Sequence, residues 1–347
     1  MSKKVIVTGG VGFIGAHTCE RFVKRGWKTI AYDNMTKFEL NRTGYNTIAC
    51  RDYNYKLLND WGVEIVCGDI RDKDLLYKTV GDDCDFIIHT AAQPAITISV
   101  EDPDLDFSTN VIGTLNLLEL ARVTGIPMVN CATIHVYGNT FINSGLRELP
   151  MRYVHDPESI PETYPLATGT LTQLHASKIT ADTYVRAYVH TYKAKVASFR
   201  LTGLYGPRQF GGEDHGWVAN FAIRTIMDLP LTVYGNGKQV RDILFATDVA
   251  RAFECYYYNQ RPGVYNIGGG IKNSISLLEC IYAISNLVGK EPVVEYKPDR
   301  IGDLRYFVCD SSKAKKFMGW EPLIDTKTGL WQITQWIQEN KELFHAD

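Results

Sequence analysis

The sequence stretch that decides the fold is Val5-Ile6-Val7-Thr8-Gly9-Gly10-Val11-Gly12-Phe13-Ile14-Gly15. A short apolar run, typical of a buried strand, leads into a group of glycines that precede a helix-length segment. Glycines at such a junction permit a tight turn and allow backbone N–H groups to approach a pyrophosphate at the helix N-terminus. The stretch therefore predicts a strand, a turn and a helix that together bind a dinucleotide.

Acidic residues after the next two apolar runs indicate which dinucleotide is bound. Asp33 lies eighteen residues after Gly15, close to the spacing of about 20 expected for a carboxylate on the adenosine ribose. A carboxylate at that place repels a 2′-phosphate, so the sequence predicts NAD rather than NADP. Asp69 is placed to meet the adenine, and this role is compatible with a second one, as the N-cap of a helix that starts near Arg71.

Short apolar runs alternate with amphipathic segments throughout the first half of the chain. This alternation predicts an α/β fold, a Rossmann-type doubly wound parallel sheet. After residue 205 glycine and proline become frequent, which predicts a small discontinuous C-terminal substrate-binding lobe. The predicted boundaries are 1–203 plus about 242–268 for the NAD-binding domain, and about 204–241 plus 269–347 for the lobe. Residues 141–168 are predicted to form a long loop.

Composition and charge exclude several classes of protein. The 347 residues include 37 Lys+Arg and 39 Asp+Glu, a net charge of −2, so no basic excess indicates a nucleic-acid partner. No apolar run reaches the roughly 18 residues of a membrane span, and the apolar run in MSKKVIVTGG is too short for a signal peptide. Eight dispersed cysteines form no metal-ligand pattern. We therefore expect a cytoplasmic protein with reduced thiols and no metal site.

Motifs along nearly the whole chain resemble those of the extended short-chain dehydrogenase/reductases that modify nucleotide sugars. Besides TGGVGFIG at 8–15, they are YDN at 32–34, GDIRD at 68–72, HTAAQ at 89–93, NVIGTLNLLELAR at 110–122, SK at 177–178 and YGPRQ at 205–209. Residues 205–221, 235–242 and 265–279 are more similar to the CDP-sugar 2-epimerases of this family than to its 4-epimerases or 4,6-dehydratases. The resemblance implies a tightly held NAD, a nucleotide-diphospho-sugar substrate, and a homodimer formed by helices at 110–123 and 170–191.

The resemblance also implies which residues contact the cofactor and the substrate. The expected NAD contacts are Gly9, Gly12, Phe13, Ile14, Gly15, Asp33, Asn34, Asp69, Ile70, Ala91, Gln93, Asn110, Lys178 and Leu201. The expected substrate contacts are Thr133, Arg208, Arg241, Arg300 and Asp303. Guanidinium groups suit a pyrophosphate because they bind oxyanions in a bidentate manner. Surface ion pairs are the alternative use of such residues.

One position among the catalytic residues departs from the family pattern. The family uses a Ser or Thr, a Tyr, and a Lys four residues after that Tyr. Thr133 and Lys178 match this pattern, but Leu174 occupies the Tyr position. Leucine has no ionisable group, so the usual proton transfer by Tyr is not available. A histidine is the expected substitute because it titrates near neutral pH. The candidates are His135, two residues after Thr133, and His175, which shares a helix face with Lys178.

Other interpretations of these residues stay open at this point. His135 is alternatively a packed or ribose-contacting side chain, and His175 is alternatively a surface or dimer-contact residue. Tyr164, from the long loop, is another candidate for the missing group. A catalytically silent nucleotide-binding protein is a further interpretation of Leu174.

The sequence favours an NAD-dependent epimerase of a nucleotide-diphospho-sugar, with Thr133, His135, Lys178 and His175 as catalytic residues. In this hypothesis the sugar is transiently oxidised, and an acid/base other than Tyr moves the proton. A dehydratase or decarboxylase acting on the same substrates ranks lower, because no acidic residue directly follows Thr133. A pure binding protein ranks lower still, because a protein that only senses a dinucleotide does not need the residues that bind a sugar nucleotide.

Overall fold

A computed structural model describes residues 2–36 and 38–345 of the chain. Its strands are β1 Lys4–Thr8, β2 Lys28–Asp33, β3 Glu64–Cys67, β4 Phe86–His89, β5 Met128–Thr133, β6 Leu146–Glu148, β7 Tyr153–His155, β8 Val196–Leu201, β9 Gly203–Tyr205, β10 Leu231–Tyr234, β11 Val240–Phe245, β12 Gly263–Ile267, β13 Ser274–Ser276, β14 Val294–Lys297 and β15 Tyr306–Phe307. Its α-helices are α1 Phe13–Lys24, α2 Thr47–Asp60, α3 Lys73–Val80, α4 Ile96–Glu101, α5 Pro103–Phe107, α6 Thr114–Thr124, α7 Asn139–Ser144, α8 Gln173–Tyr192, α9 Trp217–Ile226, α10 Ala246–Asn259, α11 Leu277–Val288, α12 Ser312–Met318 and α13 Thr326–Glu339. A π-helical segment, Ser108–Gly113, precedes α6, and a 3₁₀ turn, Ile134–Val136, follows β5.

Seven parallel strands form the central sheet in the order β12-β8-β5-β4-β1-β2-β3. Val5 of β1 pairs with Thr29 of β2 on one side and with Phe86 of β4 on the other. The chain winds outward from β1 in one direction to β3, and then from β4 in the opposite direction. Ligands bind outside the carboxyl ends of the strands at such a reversal. The predicted doubly wound parallel sheet is confirmed, and the β1–β4 crevice marks where a site is expected.

Helices cover both faces of the sheet because successive strand residues point to opposite sides. In β1, the buried side chains of Val5 and Val7 pack in one core with Phe253 of α10. The intervening Ile6 packs in a second core with Leu117 of α6. The near-continuous apolar composition of these strands follows from this burial on two faces.

A smaller set of sheets stands beside the central one. β11 pairs with β9, β13 and β15, and β10 pairs with β14. Phe221 of α9, Ile284 of α11 and Ile333 of α13 pack with these strands in a core of their own. Between these elements, β12 returns the chain to the central sheet. The exact boundaries of the two regions stay a prediction, as does the homodimer.

The segment predicted to be a long loop contains regular structure. Its first residues complete α7, and β6 and β7 then form an antiparallel hairpin in which Leu146 pairs with His155. Strands of three residues are too short to show an alternating apolar pattern. The hairpin is also joined to a distant part of the chain, since the backbone N–H of Tyr153 donates to the carbonyl of Lys238 at 2.9 Å. The prediction of a long loop is therefore wrong for residues 141–144, 146–148 and 153–155.

Within the described ranges, no helix has the length and apolar character that crossing a bilayer requires. The His, Cys, Asp and Glu side chains of the same residues form no group of three or more that could hold a metal ion. All eight cysteines are free thiols.

Candidate active site

A cavity of about 590 Å³ lies at the carboxyl ends of β1, β2 and β4. Eleven of the expected NAD contacts line it: Gly9, Gly12, Phe13, Ile14, Gly15, Asp33, Asn34, Asp69, Ile70, Ala91 and Gln93. Of the other three, Lys178 and Leu201 line a neighbouring second cavity. Asn110 lines neither; its Oδ1 accepts the backbone N–H of Gln93 at 3.0 Å, so it positions the wall of the first cavity.

The glycine turn at the floor of the first cavity is closed to larger residues. Gly9 has a φ of +67°, and a Cβ placed there would lie 2.7 Å from the backbone nitrogen of Ala91. A Cβ on Gly15 would lie 2.0 Å from the carbonyl oxygen of Gly9. Both positions need glycine because the turn brings backbone against backbone.

The start of α1 is suited to an anion. Gly12 is the N-cap residue and offers no side chain to the first-turn N–H groups, and that turn contains no acidic residue. Helix N-termini with unpaired N–H groups bind phosphates through hydrogen bonds and the helix dipole. Asp33 stands beside this turn, where its carboxylate accepts the N–H groups of Val11 at 3.0 Å and Met35 at 2.8 Å.

Asp69 is held as a carboxylate at the far end of the first cavity. Its hydrogen bonds from the Arg71 guanidinium lower the pKa of Asp69 to about 2, and Asn34 donates to it at 3.1 Å. The N-cap of α3 is Asp72, whose Oδ1 accepts the N–H of Leu75 at 3.1 Å. Asp69 is therefore not that cap, and its carboxylate oxygens accept from Arg71 and Asn34 instead.

Arg208 lies at the first cavity and not with the other expected substrate contacts. Its Nη2 bonds to Nδ1 of His17 and to Glu20, each at 2.5 Å. Its Nη1 is buried and has no hydrogen-bond partner among the residues that the structure describes. The backbone of Arg208 has a φ of +68°, a conformation that costs energy for a residue other than glycine. An anion such as a diphosphate would satisfy the unpaired N–H, so the residues present fit a dinucleotide.

The second cavity, of about 420 Å³, gathers the remaining predicted site residues. Those residues are Thr133, His135, His175, Lys178, Leu201, Arg241, Arg300 and Asp303, together with Leu174. Phe13, Pro94, Gln209 and His215 line both cavities, so the two cavities adjoin. Tyr164 does not line the second cavity; it packs in a separate core, 6.4 Å from the ring of His155.

His135 is carried by the 3₁₀ turn directly after β5. Its backbone N–H donates to the Thr133 hydroxyl oxygen at 3.2 Å, which leaves the hydroxyl proton of Thr133 free to be donated. Burial, followed by the charges of His175 and Arg241, holds the pKa of His135 well below its usual value, so the ring is neutral at pH 7. Its Nδ1 is buried with no hydrogen-bond partner in the described part of the chain.

His175 lies at the start of α8, with its ring centroid 5.1 Å from that of His135. The backbone N–H of Thr172 donates to Nδ1 of His175 at 2.9 Å, as part of a capping box. Because Nδ1 is the acceptor there, the neutral ring carries its proton on Nε2. Burial lowers the pKa of His175, against an opposing effect of Asp303, which favours this neutral form.

Lys178 is one turn beyond Leu174 on the same helix. Burial lowers the pKa of Lys178, while Cys131 and Asp106 act in the opposite direction. Leu174 is buried, and its backbone N–H donates to the Ser99 hydroxyl at 3.2 Å. The helix therefore brings an ammonium group and an apolar side chain to the same cavity.

The opposite wall of the second cavity is formed by charged residues of the smaller region. Arg241 forms an ion pair with Asp303 at 2.9 Å. The Arg300 guanidinium lies 4.0 Å from the ring centroid of Tyr234 and donates to the carbonyl of Glu213 at 2.5 Å. Glu213 and Tyr234 were not predicted as site residues. Glu213 lies within residues 205–221, one of the stretches that carry the family resemblance. That resemblance was the sequence signal by which Glu213 could have been predicted as a site residue.

The family model that matches the chain has the description "NAD dependent epimerase/dehydratase family" and covers residues 5–268, which include the glycine turn and, apart from Lys4, all strands of the central sheet. The chain belongs to this family. Among curated proteins, the CDP-paratose 2-epimerase of Salmonella typhi is 33% identical over 96% of this chain and 98% of its own length. A dTDP-glucose 4,6-dehydratase of Xanthomonas campestris is 29% identical over 97% of this chain and 93% of its own length.

Solved structures of the epimerase/dehydratase family agree with the fold over the whole molecule. The UDP-glucose 4-epimerase of Thermus thermophilus, in complex with NAD, has a TM-score of 0.79 and 32% identity. It matches 97% of this chain and 99% of its own. The predicted cofactor, NAD, is thereby confirmed.

We expect Arg208→Ala to weaken NAD binding by about 10- to 100-fold. The substitution removes a charged residue that lines the first cavity and has a buried nitrogen without a hydrogen-bond partner among the described residues, and hydrogen bonds to charged groups contribute about 1.5–3 kcal/mol. Calorimetric titration of the protein with NAD measures the effect. Arg147→Ala, which changes an exposed arginine outside the cavity, is the matched control. Equal NAD affinity in Arg208→Ala and Arg147→Ala would contradict the assignment.

Proposed function

We propose that the chain is an NAD-dependent epimerase of a nucleotide-diphospho-sugar and that it acts most like a CDP-sugar 2-epimerase. One observation carries the proposal: Thr133, His135, His175 and Lys178 line a single cavity that adjoins the glycine-turn cavity. Charged groups suited to a nucleotide diphosphate stand on the other wall of this cavity. The likeness to the Salmonella CDP-paratose 2-epimerase over nearly both full lengths supports the choice of sugar nucleotide.

Each catalytic side chain has a role that follows from its contacts. Bound NAD supplies the acceptance and return of a hydride at a sugar carbon. The Thr133 hydroxyl, whose oxygen already accepts a hydrogen bond, donates to an oxygen of the sugar. The Lys178 ammonium, buried beside Cys131 and Asp106, holds the nicotinamide ribose, as the family resemblance implies.

The roles of the two histidines differ because their hydrogen bonds differ. The neutral ring of His175 has its basic nitrogen occupied by the Thr172 N–H, so it enters the site as a hydrogen-bond donor. His135 is neutral, lines the cavity and stands next to Thr133, so the proposal gives it the role of general base. His135 takes the proton of the sugar hydroxyl as that carbon is oxidised and returns the proton when the carbon is reduced. This exchange replaces the function of the family Tyr, for which Leu174 has no group.

Arg241 and Arg300 bind the diphosphate, with Asp303 placed for the ribose hydroxyls. Arg241 is paired with Asp303 at 2.9 Å, so its guanidinium is oriented before a substrate enters. Arg300 is held by its contacts with Tyr234 and Glu213. Held guanidinium groups lose less conformational freedom when they bind a diphosphate.

The test is a reaction in D₂O with NAD and a panel of CDP-, UDP- and dTDP-linked hexoses, followed by proton NMR of the sugar. The expected result is a new epimer of one panel member that carries no deuterium at the inverted carbon, because the hydride leaves and returns without exchange. Deuterium at the inverted carbon would indicate that the epimerisation proceeds by proton exchange at that carbon and not by hydride transfer. A product that has lost water or CO₂ would identify a lyase, and no turnover of any member would overturn the proposal.

A further inference from the structure

The loop of residues 209–216 stands at the junction of the first and second cavities. Two of its residues, Gln209 and His215, line both cavities. Eleven of the expected NAD contacts line the first cavity, whereas Lys178 and Leu201 line the second. A dinucleotide that reaches both sets of contacts has to cross the junction. The 209–216 loop therefore borders the path that bound NAD occupies.

This loop is closed on itself and anchored at its base. The backbone N–H of Gly212 donates to the carbonyl of His215 at 2.9 Å. A Cβ on Gly211 would lie 2.4 Å from the carbonyl oxygen of Gly216, so the two ends of the loop pack backbone against backbone. The hydroxyl of Tyr45 donates to the carbonyl of Gly211 at 2.7 Å, in a buried contact. We therefore expect the loop to move as one unit about this base.

A chain of hydrogen bonds fastens the tip of the loop to the NAD-binding region. Asp214, at the tip, accepts the hydroxyl proton of Thr97 in α4 at 2.7 Å. Nη1 of Arg42 donates to the oxygen of the same hydroxyl at 2.9 Å, and Arg42 also forms an ion pair with Glu101 of α4. Because the Thr97 oxygen accepts from Arg42, its proton is directed to the carboxylate, which makes a charge-assisted hydrogen bond. We call Arg42, Thr97 and Asp214 the clasp.

The clasp joins segments that form the walls of the two cavities. Ile96 and Ile98, on either side of Thr97, line the second and the first cavity respectively. Asp214 itself lines the second cavity. Loss of the bond between Thr97 and Asp214 would detach the tip of the loop from α4, while Tyr45 would still hold the base. The clasp is thus placed to keep the 209–216 loop closed over the junction.

We propose that the 209–216 loop is a gate over bound NAD and that the clasp keeps this gate shut, so that the Thr97–Asp214 bond breaks before the cofactor enters or leaves. The inference depends on NAD binding and not on which sugar reacts, so it goes beyond the proposed function. Thr97 and Asp214 act as positioning residues, since neither is an expected NAD contact. A gate has its own kinetic signature. Loss of an ordinary contact speeds release alone, whereas a loosened gate speeds entry and release together.

The test is stopped-flow fluorescence of NADH, which follows the cofactor without any sugar. Mixing NADH with the full-length protein freed of NAD gives the entry rate, and displacing NADH from the loaded protein with excess NAD gives the release rate. We expect Thr97→Val and Asp214→Ala each to raise both rates by about 10-fold, the low end for a hydrogen bond to a charged group because the clasp is partly exposed. The dissociation constant should change much less than either rate. Thr97→Ser keeps the hydroxyl and should restore both rates.

Thr79→Val is the matched control for the loss of a threonine hydroxyl. Thr79 is a half-buried residue of α3 that lines neither cavity, and its hydroxyl donates to the carbonyl of Leu75 within the same helix at 2.7 Å. This variant should keep the wild-type rates. Faster release with unchanged entry would make the clasp an ordinary NAD contact and overturn the gate, as would unchanged release in both clasp variants. Thermal denaturation shows whether each variant is folded, and Thr97→Val and Asp214→Ala can replace each other because they break the same bond from opposite sides.

Discussion

We expect His135→Ala to lower kcat by about 10²–10⁴-fold, the usual loss when one general base is removed. The neutral ring of His135 has a buried nitrogen without a hydrogen-bond partner among the described residues, and it stands beside the Thr133 hydroxyl, for which we propose a contact with the sugar. Alanine leaves no group at this place to move the proton. The measurement is steady-state turnover of the panel member that reacts, together with the affinity for that nucleotide sugar. The affinity should change little, because the diphosphate contacts remain.

The matched control for this prediction is His190→Ala, which removes an exposed histidine near the end of α8. It should keep full turnover and wild-type affinity. His135→Gln, which preserves volume and polarity but cannot serve as a base near neutral pH, should lose turnover as His135→Ala does. Full turnover in His135→Ala would refute the proposed base. If His175→Ala then lost turnover, the role would pass to the second histidine.

We expect Asp182→Asn to lower the free energy of unfolding by about 3–5 kcal/mol, the usual cost of leaving one partner of a buried ion pair without its counter-charge. Asp182, on α8, accepts from Arg200 of β8 at 2.7 Å, and both side chains are almost fully buried. Ser198 also donates to Asp182, at 2.5 Å. These contacts fasten α8, which carries His175 and Lys178, to the strand behind the site. Urea unfolding monitored by circular dichroism measures the loss.

A double variant separates lost charge pairing from lost packing. Asp182→Leu combined with Arg200→Met should be less destabilised than the sum of the two single variants, because neither charge is then buried alone. Glu321→Gln changes an exposed ion pair with Lys315 and is the control, for which we expect no measurable change. A loss for Asp182→Asn as small as that of Glu321→Gln would show that the buried pair does not hold α8 in place.

Local patterns in the sequence predicted the central sheet and the first cavity well. The glycine turn, Asp33 and Asp69 each lie at or just after the end of a strand, and parallel strands bring their carboxyl ends to one edge. Once the strands are recognised, the positions of these residues are therefore nearly determined. The pairing of residues 146–155 was not predictable in the same way, because three-residue strands carry no periodic signal of their own.

The sequence by itself determined the fold class, the cofactor and the absence of an ionisable group at Leu174, because each depends on residue type within a short segment. Only the tertiary structure placed the rings of His135 and His175 next to each other, since β5 and α8 meet through packing. It likewise placed Arg208 at the first cavity, apart from the other expected substrate contacts, where it pairs with Glu20 of α1. Only the tertiary structure, too, shows that Oδ1 of Asn220 and Oε1 of Gln239 are buried without hydrogen-bond partners among the described residues. Whether a buried polar atom has a partner depends on neighbours that are far away in the chain, and no local pattern contains them.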